Sequence, residues 1–283
     1  MPHGPSAPPV GVTAIVSALQ DAPAAHLLLM FDFDGTLVEL APTPLAAVLP
    51  AGRRELLAGL ASRPDVTLAI VSGRRLADVR SKVGIEEGLY YAGTHGMEIE
   101  GGDASFVHEG LRHGRPGIAS LRARAAAAVA DLAGVVVEDK EYSFVLHTRQ
   151  AAAPTKAEAT RAVTEIVRPV ELAGVVRLQP GSEMLEVLPS VSWNKGDAVR
   201  WIARRVSAPH RAVRAMYVGD DVTDEDAFAA LPPGGIGVVV GTRPSIAGFR
   251  LADPPAVEAL LRMLVAMPTR APGSGLQAPA ESS

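Results

Sequence analysis

Residues 27–37 read LLLMFDFDGTL: five apolar residues, Leu27 to Phe31, run directly into Asp32, Asp34, Gly35 and Thr36. A continuous apolar run of that length, without polar alternation, fits a strand buried on both faces, as in a parallel sheet covered by helices. Ligands of open parallel sheets bind outside the carboxyl ends of the strands, so the two acids lie where a site is expected. Two carboxylates two residues apart repel one another, and a hard divalent cation such as Mg²⁺, with its oxygen ligands, relieves that repulsion. Taken alone, a DxDG string also serves as a turn that caps the next helix.

The same rhythm recurs along the chain. Buried strands are expected at 66–71, 89–92, 213–218 and 235–240, with helical periodicity at 53–62, 76–83 and 197–206. Strands alternating with helices predict an open α/β layer fold with a Rossmann-like parallel sheet. One stretch departs from it: helix 118–132, strands 135–138 and 143–147, helix 155–167, strands 175–179 and 184–188. That αββαββ order is an α+β unit inserted within the first domain. The expected division is a core at 25–112 and 186–267, an inserted cap at 113–185, a mostly disordered segment at 1–24 and a disordered tail at 268–283. Both ends are rich in Pro, Gly, Ser and Ala, which bury too little apolar surface to order themselves.

With 283 residues, about two domains are expected. The 48% hydrophobic content suffices for a sizeable core, and the net charge of −4 provides no global basic field for nucleic acid or an anionic membrane. The absence of cysteine excludes disulfides, thiolate zinc sites and cysteine nucleophiles. Residues 1–12, MPHGPSAPPVGV, lack the basic-then-apolar pattern of a secretory leader, and the run at 27–31 is far short of the ~20 residues that span a bilayer. The expectation is a soluble, cytoplasmic monomer acting on a small molecule.

Three further strings could carry chemistry. Ser72-Gly73-Arg74 follows the strand at 66–71; its serine reads either as a helix cap or as a phosphoryl-oxygen donor at a helix N-terminus. Asn194-Lys195-Gly196-Asp197 opens a helical pattern, and a lysine beside the positive end of a helix dipole calls for a nearby anion unless it simply points to solvent. Gly219-Asp220-Asp221-Val222-Thr223-Asp224-Glu225-Asp226 has a metal-site composition directly after a strand, with Glu225 and Asp226 read as solvated helix-start acids. No EF-hand register fits it. There is no GxxxxGK[ST] and no GxSxG, and His108 to His113 misses zincin spacing by one residue. His95, by itself, reads as a loop histidine.

In this order, DFDGT, SGR, NKG and GDDxTDED resemble the four motifs of the haloacid dehalogenase superfamily of phosphotransferases, and the insertion resembles its C2-type cap. Within it, GDDxTDEDxF, Glu138-Asp139-Lys140 with His147-Thr148-Arg149, Gly93-x-His95-Gly96-x-Glu98 and Glu186 ahead of NKG are similar to the trehalose-6-phosphate phosphatase family. The resemblance implies Asp32 as nucleophile forming an aspartyl-phosphate and Asp34 as acid and then base. It implies Mg²⁺ on the Asp32 and Asp220 carboxylates and the Asp34 carbonyl, with Asp221 or Asp224 through water. Ser72 and Lys195 would hold phosphoryl oxygens, and Arg74, His95, Lys140, Arg149 and Glu186 would face the substrate, the last three from the cap. Two departures bear on which sugar is read: Leu188 stands where members often carry Arg or Lys, and the segment 190–193 is about one residue longer. The alternatives are a phosphatase for another sugar phosphate (sucrose, glucosylglycerol or mannosylglycerate phosphate), a signalling receiver, and a silent regulatory homologue. A receiver is only ~120 residues and has no inserted cap, and a silent copy has no need of the intact Asp32, Asp34, Lys195 and Asp220.

Overall fold

The computed structural model describes residues 11–21, 26–41, 43–181, 183–207 and 212–269. The elements in chain order are α1 (Val12–Gln20), β1 (His26–Phe31), α2 (Ala51–Ala61), β2 (Val66–Val71), α3 (Leu76–Val83), β3 (Leu89–Gly93), β4 (Glu98–Gly101) and β5 (Ala104–Val107). Then come α4 (Glu109–Ala128), β6 (Val136–Asp139), β7 (Phe144–His147), α5 (Ala153–Leu172), β8 (Val176–Gly181) and β9 (Met184–Pro189). The chain closes with α6 (Lys195–Val206), β10 (Val213–Gly219), α7 (Asp224–Ala229), β11 (Ile236–Val240), β12 (Phe249–Leu251) and α8 (Pro254–Ala266). It divides into two compact units: Met1–Phe106 with Trp193–Ser283, and Val107–Ser192.

The first unit is built on a sheet ordered β12-β11-β10-β1-β2-β3-β4-β5, parallel from β12 to β3 and antiparallel at β3–β4. From Leu27 onward β1 is apolar because each side chain meets a core. Leu27, Leu29 and Phe31 enter the apolar cluster that also holds buried residues of α1, α2, α3 and α8. Leu28 and Met30 enter the one holding Ala198, Val199, Ile202 and Val206 of α6. The chain leaves β1 toward β2 and β3 on one side and returns later to β10 on the other. Such a switch point opens a crevice where two neighbouring strands send their loops apart. Asp32 and Asp220 follow those two strands.

The second unit has the αββαββ order expected. Its antiparallel sheet is ordered β6-β7-β9-β8. Ile118, Leu121 and Ala125 of α4 and Ala159, Val163 and Val167 of α5 pack on Phe144, Leu146, Leu185 and Val187 of the strands. By strand register, Glu138, Val145, Glu186 and Gln179 form a row across the sheet on the opposite face.

Three expectations need correction. Within the segment 1–24, residues 12–20 are ordered: α1 buries Ile15, Val16 and Leu19, at i, i+1 and i+4, against the first core, and residues 22–24 lie outside the described residues. Residues 1–10, and 270–283 of the tail, lie outside the described residues. The inserted unit extends beyond 113–185 at both ends, since α4 starts at Glu109 and β9 runs unbroken to Pro189, paired with β7 and β8. The hairpin β4–β5 and the short β12 add strands to the five anticipated in the core. No helix among the described residues is long and apolar enough to cross a membrane.

Candidate active site

The site grows from the end of β1. The Asp32 N–H still donates to the Val218 carbonyl of β10, at 2.8 Å, so its backbone continues the ladder while its side chain stands at the crevice. Lys195, the first residue of α6, is buried and donates to Asp32 Oδ1 at 2.7 Å and to Asp224 Oδ1 at 2.8 Å. Asn194 and Asp197 form a capping box that fixes the start of that helix, and with it the lysine. Asp224 is fully buried; its Oδ1 also accepts from the Tyr217 hydroxyl, at 2.7 Å, and its Oδ2 accepts from the Asp221 N–H, at 2.8 Å. Asp220 accepts from the Thr36 hydroxyl at 3.3 Å.

Carboxylate oxygens of Asp32, Asp220 and Asp224 lie within 4.8 Å of one another. Three acids facing one lysine leave the cluster with excess negative charge. Burial pushes the Asp32 carboxyl well above its ordinary value, against the pull of Lys195 and with the push of Asp224 and Asp220. Burial, then Asp224, raises Asp220 to about 6. Burial opposes the charge on Lys195, yet Asp32 and Asp224 together hold it above its ordinary value, so the cation is secure. An all-oxygen donor set with surplus negative charge fits a hard divalent cation. Since both Asp224 oxygens already accept hydrogen bonds, Asp32 and Asp220 are the carboxylates left to ligate one directly.

The backbone is shaped for this closeness. Gly35 has φ +77°, and a Cβ there would meet Asp220 Oδ2 at 2.1 Å. Only glycine lets the first acidic loop lie on the second.

Asp34, by contrast, turns to Arg74: Nε donates to Oδ2 at 2.6 Å and Nη2 to Oδ1 at 2.7 Å. Ser72 is buried, and its hydroxyl oxygen accepts from the Arg74 N–H at 3.1 Å. His95 donates its N–H to the Ser72 carbonyl at 2.9 Å, and a Cβ on Gly73 would come within 2.8 Å of its ring. Thr94, His95 and Gly96 form a left-handed turn beside the Ser72–Arg74 loop.

In the second unit, Glu186 is buried and accepts from the Ser143 hydroxyl at 2.8 Å, with Lys140 Nζ at 3.4 Å. Lys140 and Ser143 face each other across the β6–β7 turn, the Lys140 N–H donating to the Ser143 carbonyl at 2.9 Å. Arg149 does not join them; its Nε lies 3.5 Å from Glu183 Oε2.

A family model described as trehalose-phosphatase matches residues 30–255, spanning the whole arrangement. The chain belongs to the trehalose-phosphatase family. It is 36% identical to the trehalose-phosphate phosphatase of Mycobacterium tuberculosis over 254 residues, covering 85% of this chain and 63% of that protein. An uncharacterized glycosyl hydrolase of the same organism is 37% identical over 242 residues, covering 82% of this chain and 18% of that protein. The chain thus spans under two thirds of the length of either relative. The C-terminal domain of a C. albicans trehalose-6-phosphate phosphatase shares the fold, with TM-score 0.74 at 21% identity, over 92% of this chain and 99% of that one. The fold is also shared with a haloacid dehalogenase-like hydrolase from Bacteroides thetaiotaomicron, with TM-score 0.59 at 14% identity, over 84% of this chain and 99% of that one.

Two residues gain weight beyond the sequence reading. Asp224 is the buried partner of Lys195, and Ser143 is the main hydrogen-bond partner of Glu186. The first carried only a compositional signal, since Asp220 lies in the turn before α7 and no helical spacing relates it to Asp224. Ser143 carried none, since its hydroxyl matters only through the register of β7 on β9.

Proposed function

We propose that this chain hydrolyses trehalose 6-phosphate to trehalose and phosphate, through an aspartyl-phosphate on Asp32 and with Mg²⁺ as its cation. The observation that carries the reading is the seat of Asp32: buried at the carboxyl end of the central strand, 2.7 Å from Lys195 and grouped with Asp220 and Asp224. An Asp32 oxygen attacks phosphorus, the bond from phosphorus to the sugar oxygen breaks, and the leaving oxygen takes a proton from the Asp34 carboxyl. Water then attacks the phosphorus of the aspartyl-phosphate, giving its proton to Asp34, and the phosphorus–Asp32 oxygen bond breaks to release phosphate. The Ser72 hydroxyl and the Lys195 ammonium hold phosphoryl oxygens. Mg²⁺ would be held by the Asp32 and Asp220 carboxylates and the Asp34 carbonyl, and bound there it supplies positive charge to the phosphoryl oxygens.

Lys140 and Glu186, with Ser143 beside them, are polar groups suited to sugar hydroxyls, and Arg149 adds a charged donor. Leu188, buried next to this row, is the feature that favours testing other sugars. Phosphate release from a panel of sugar phosphates with Mg²⁺ tests the reading. Turnover of trehalose 6-phosphate well above sucrose, glucosylglycerol and mannosylglycerate phosphates supports it, and preference for one of those overturns the substrate.

A further inference from the structure

We propose that Arg74 is the positioning residue for Asp34, its guanidinium fork orienting the carboxylate rather than gripping the substrate's phosphate. The inference rests on the phosphatase reading, in which Asp34 exchanges protons with the leaving oxygen and with water. A phosphate-binding arginine offers a free fork to its ligand. Here the Nε–Nη2 edge is filled by both oxygens of Asp34, at 2.6 and 2.7 Å, and Nη1 donates to Asp78 Oδ2 at 2.8 Å. The guanidinium carbon lies 5.5 Å over the ring of Phe33, the residue between the two aspartates. Every one of these contacts ties Arg74 to the first acidic loop or to α3, the helix that follows it.

The arginine is itself held at both ends of its backbone. Its N–H donates to Ser72 Oγ at 3.1 Å, and its carbonyl accepts the Thr94 N–H at 2.6 Å. Thr94 and His95 have φ of +50° and +56°. Successive non-glycine residues in the left-handed region persist only where their surroundings fix them. Here the Thr94 hydroxyl donates to Glu98 Oε2 at 2.6 Å, and Trp193 Nε1 donates to the Gly96 carbonyl at 2.8 Å. So the path from that turn through Arg74 to Asp34 is a series of short hydrogen bonds. A lysine in place of Arg74 would fix one oxygen of the carboxylate, whereas the planar fork fixes both and so sets its direction. Direction matters most where the leaving oxygen is basic and must be protonated as the bond breaks.

The test compares wild type, Arg74→Gln, Arg74→Lys and Asp34→Asn with Mg²⁺ on aryl phosphates running from p-nitrophenyl to phenyl phosphate. The ratio kcat/KM isolates the phosphorylation half of the reaction. For Arg74→Gln, the loss on phenyl phosphate should exceed the loss on p-nitrophenyl phosphate by at least about tenfold, following the steeper trend of Asp34→Asn, with Arg74→Lys between. Equal losses along the series would mark Arg74 as a phosphate-binding or purely structural residue and overturn the proposal, as would no loss at all. Should Arg74→Gln fail to fold, the trend of Arg74→Lys decides by the same criterion. A wild-type protein inactive on every ester overturns the phosphatase reading, and this proposal with it; an active one with an unaltered Arg74 trend overturns this proposal alone.

Discussion

Gly35→Ala is a severe probe of how closely the two acidic loops are fitted. Two effects add. An alanine at φ +77° is held in the left-handed region, at about 1–2 kcal/mol. Its Cβ would also stand 2.1 Å from Asp220 Oδ2 and 2.4 Å from Asp220 Cγ, so the carboxylate must retreat by more than about 1 Å to reach ordinary contact. That movement puts at risk the Thr36 hydrogen bond, worth about 0.5–1.5 kcal/mol. The sum is about 1.5–3.5 kcal/mol, which lowers Tm by roughly 3–14 °C in a domain of this size. A shift of about 1 Å in a proposed ligand of the cation should reduce kcat/KM about 10²-fold and weaken Mg²⁺ binding measured by calorimetry. Gly241→Ala is the control: φ is +87°, but nothing lies within 4 Å of its Cβ, so it carries the backbone strain alone. If Gly35→Ala kept wild-type Mg²⁺ affinity and turnover, or behaved like Gly241→Ala, the fit of the two loops would not matter to the site.

Asp32→Asn should abolish the phosphoenzyme seen after acid quench, because an amide is a poor nucleophile toward phosphorus, while Asp34→Asn should keep substrate binding and lose roughly 10²–10⁴ in rate; near-normal turnover of Asp32→Asn refutes the assignment. Activity should vanish with EDTA and return with Mg²⁺. The Asp220 carboxyl, raised to about 6 by burial and Asp224, retains a proton in the folded protein that the unfolded chain has already released. Stability without metal should therefore fall as pH rises from about 4 through 6, and the gain in Tm on adding Mg²⁺ should be larger at about pH 7.5 than at about pH 5. Equal gains at both would show that no proton competes with the cation. Glu186→Ala should reduce kcat/KM for trehalose 6-phosphate at least about tenfold more than for p-nitrophenyl phosphate, since under the proposed reading it removes a partner of the sugar's hydroxyls; equal losses would place its role in folding.

What the sequence revealed follows from where each signal lives. β1 and β2 were legible because alternate side chains meet two different cores, so Leu27 to Phe31 and Val66 to Val71 have almost no polar position. α1 was hidden: only Ile15, Val16 and Leu19 mark its buried face, amid Ala-, Gly- and Pro-rich sequence, and tertiary packing rather than composition orders it. In GDDVTDED the composition announced a site, but adjacent acids do not say which one faces inward. The tight turn from β10 into α7 settles that, burying Asp224 beneath Lys195 while Glu225 pairs outward with Arg243 at 2.5 Å. Lys195 showed its oddity at a helix start, and the anions that resolve it include two of the protein's own carboxylates. The Arg74–Asp34 fork joins loops forty residues apart, and no local pattern encodes it.

The charge imbalance of the core site links these points. Grouping two buried carboxylates and a half-buried one near a single lysine costs stability wherever the surplus charge is unpaired, since charge removed from water must be met by a partner of opposite sign. The rest of the unit offsets that cost with geometry rather than with further cations. A capping box fixes the lysine, a glycine admits one loop against the other, and the Tyr217 hydroxyl and the Asp221 N–H satisfy Asp224. Asp34 is the exception, given its own arginine and kept apart from the cluster. Two acids two residues apart are thereby assigned different partners: Asp32 faces the lysine and the surplus charge, and Asp34 faces a fork that sets its direction. In the proposed reaction the nucleophile and the proton carrier need that separation, because one must approach phosphorus while the other addresses the oxygen leaving it.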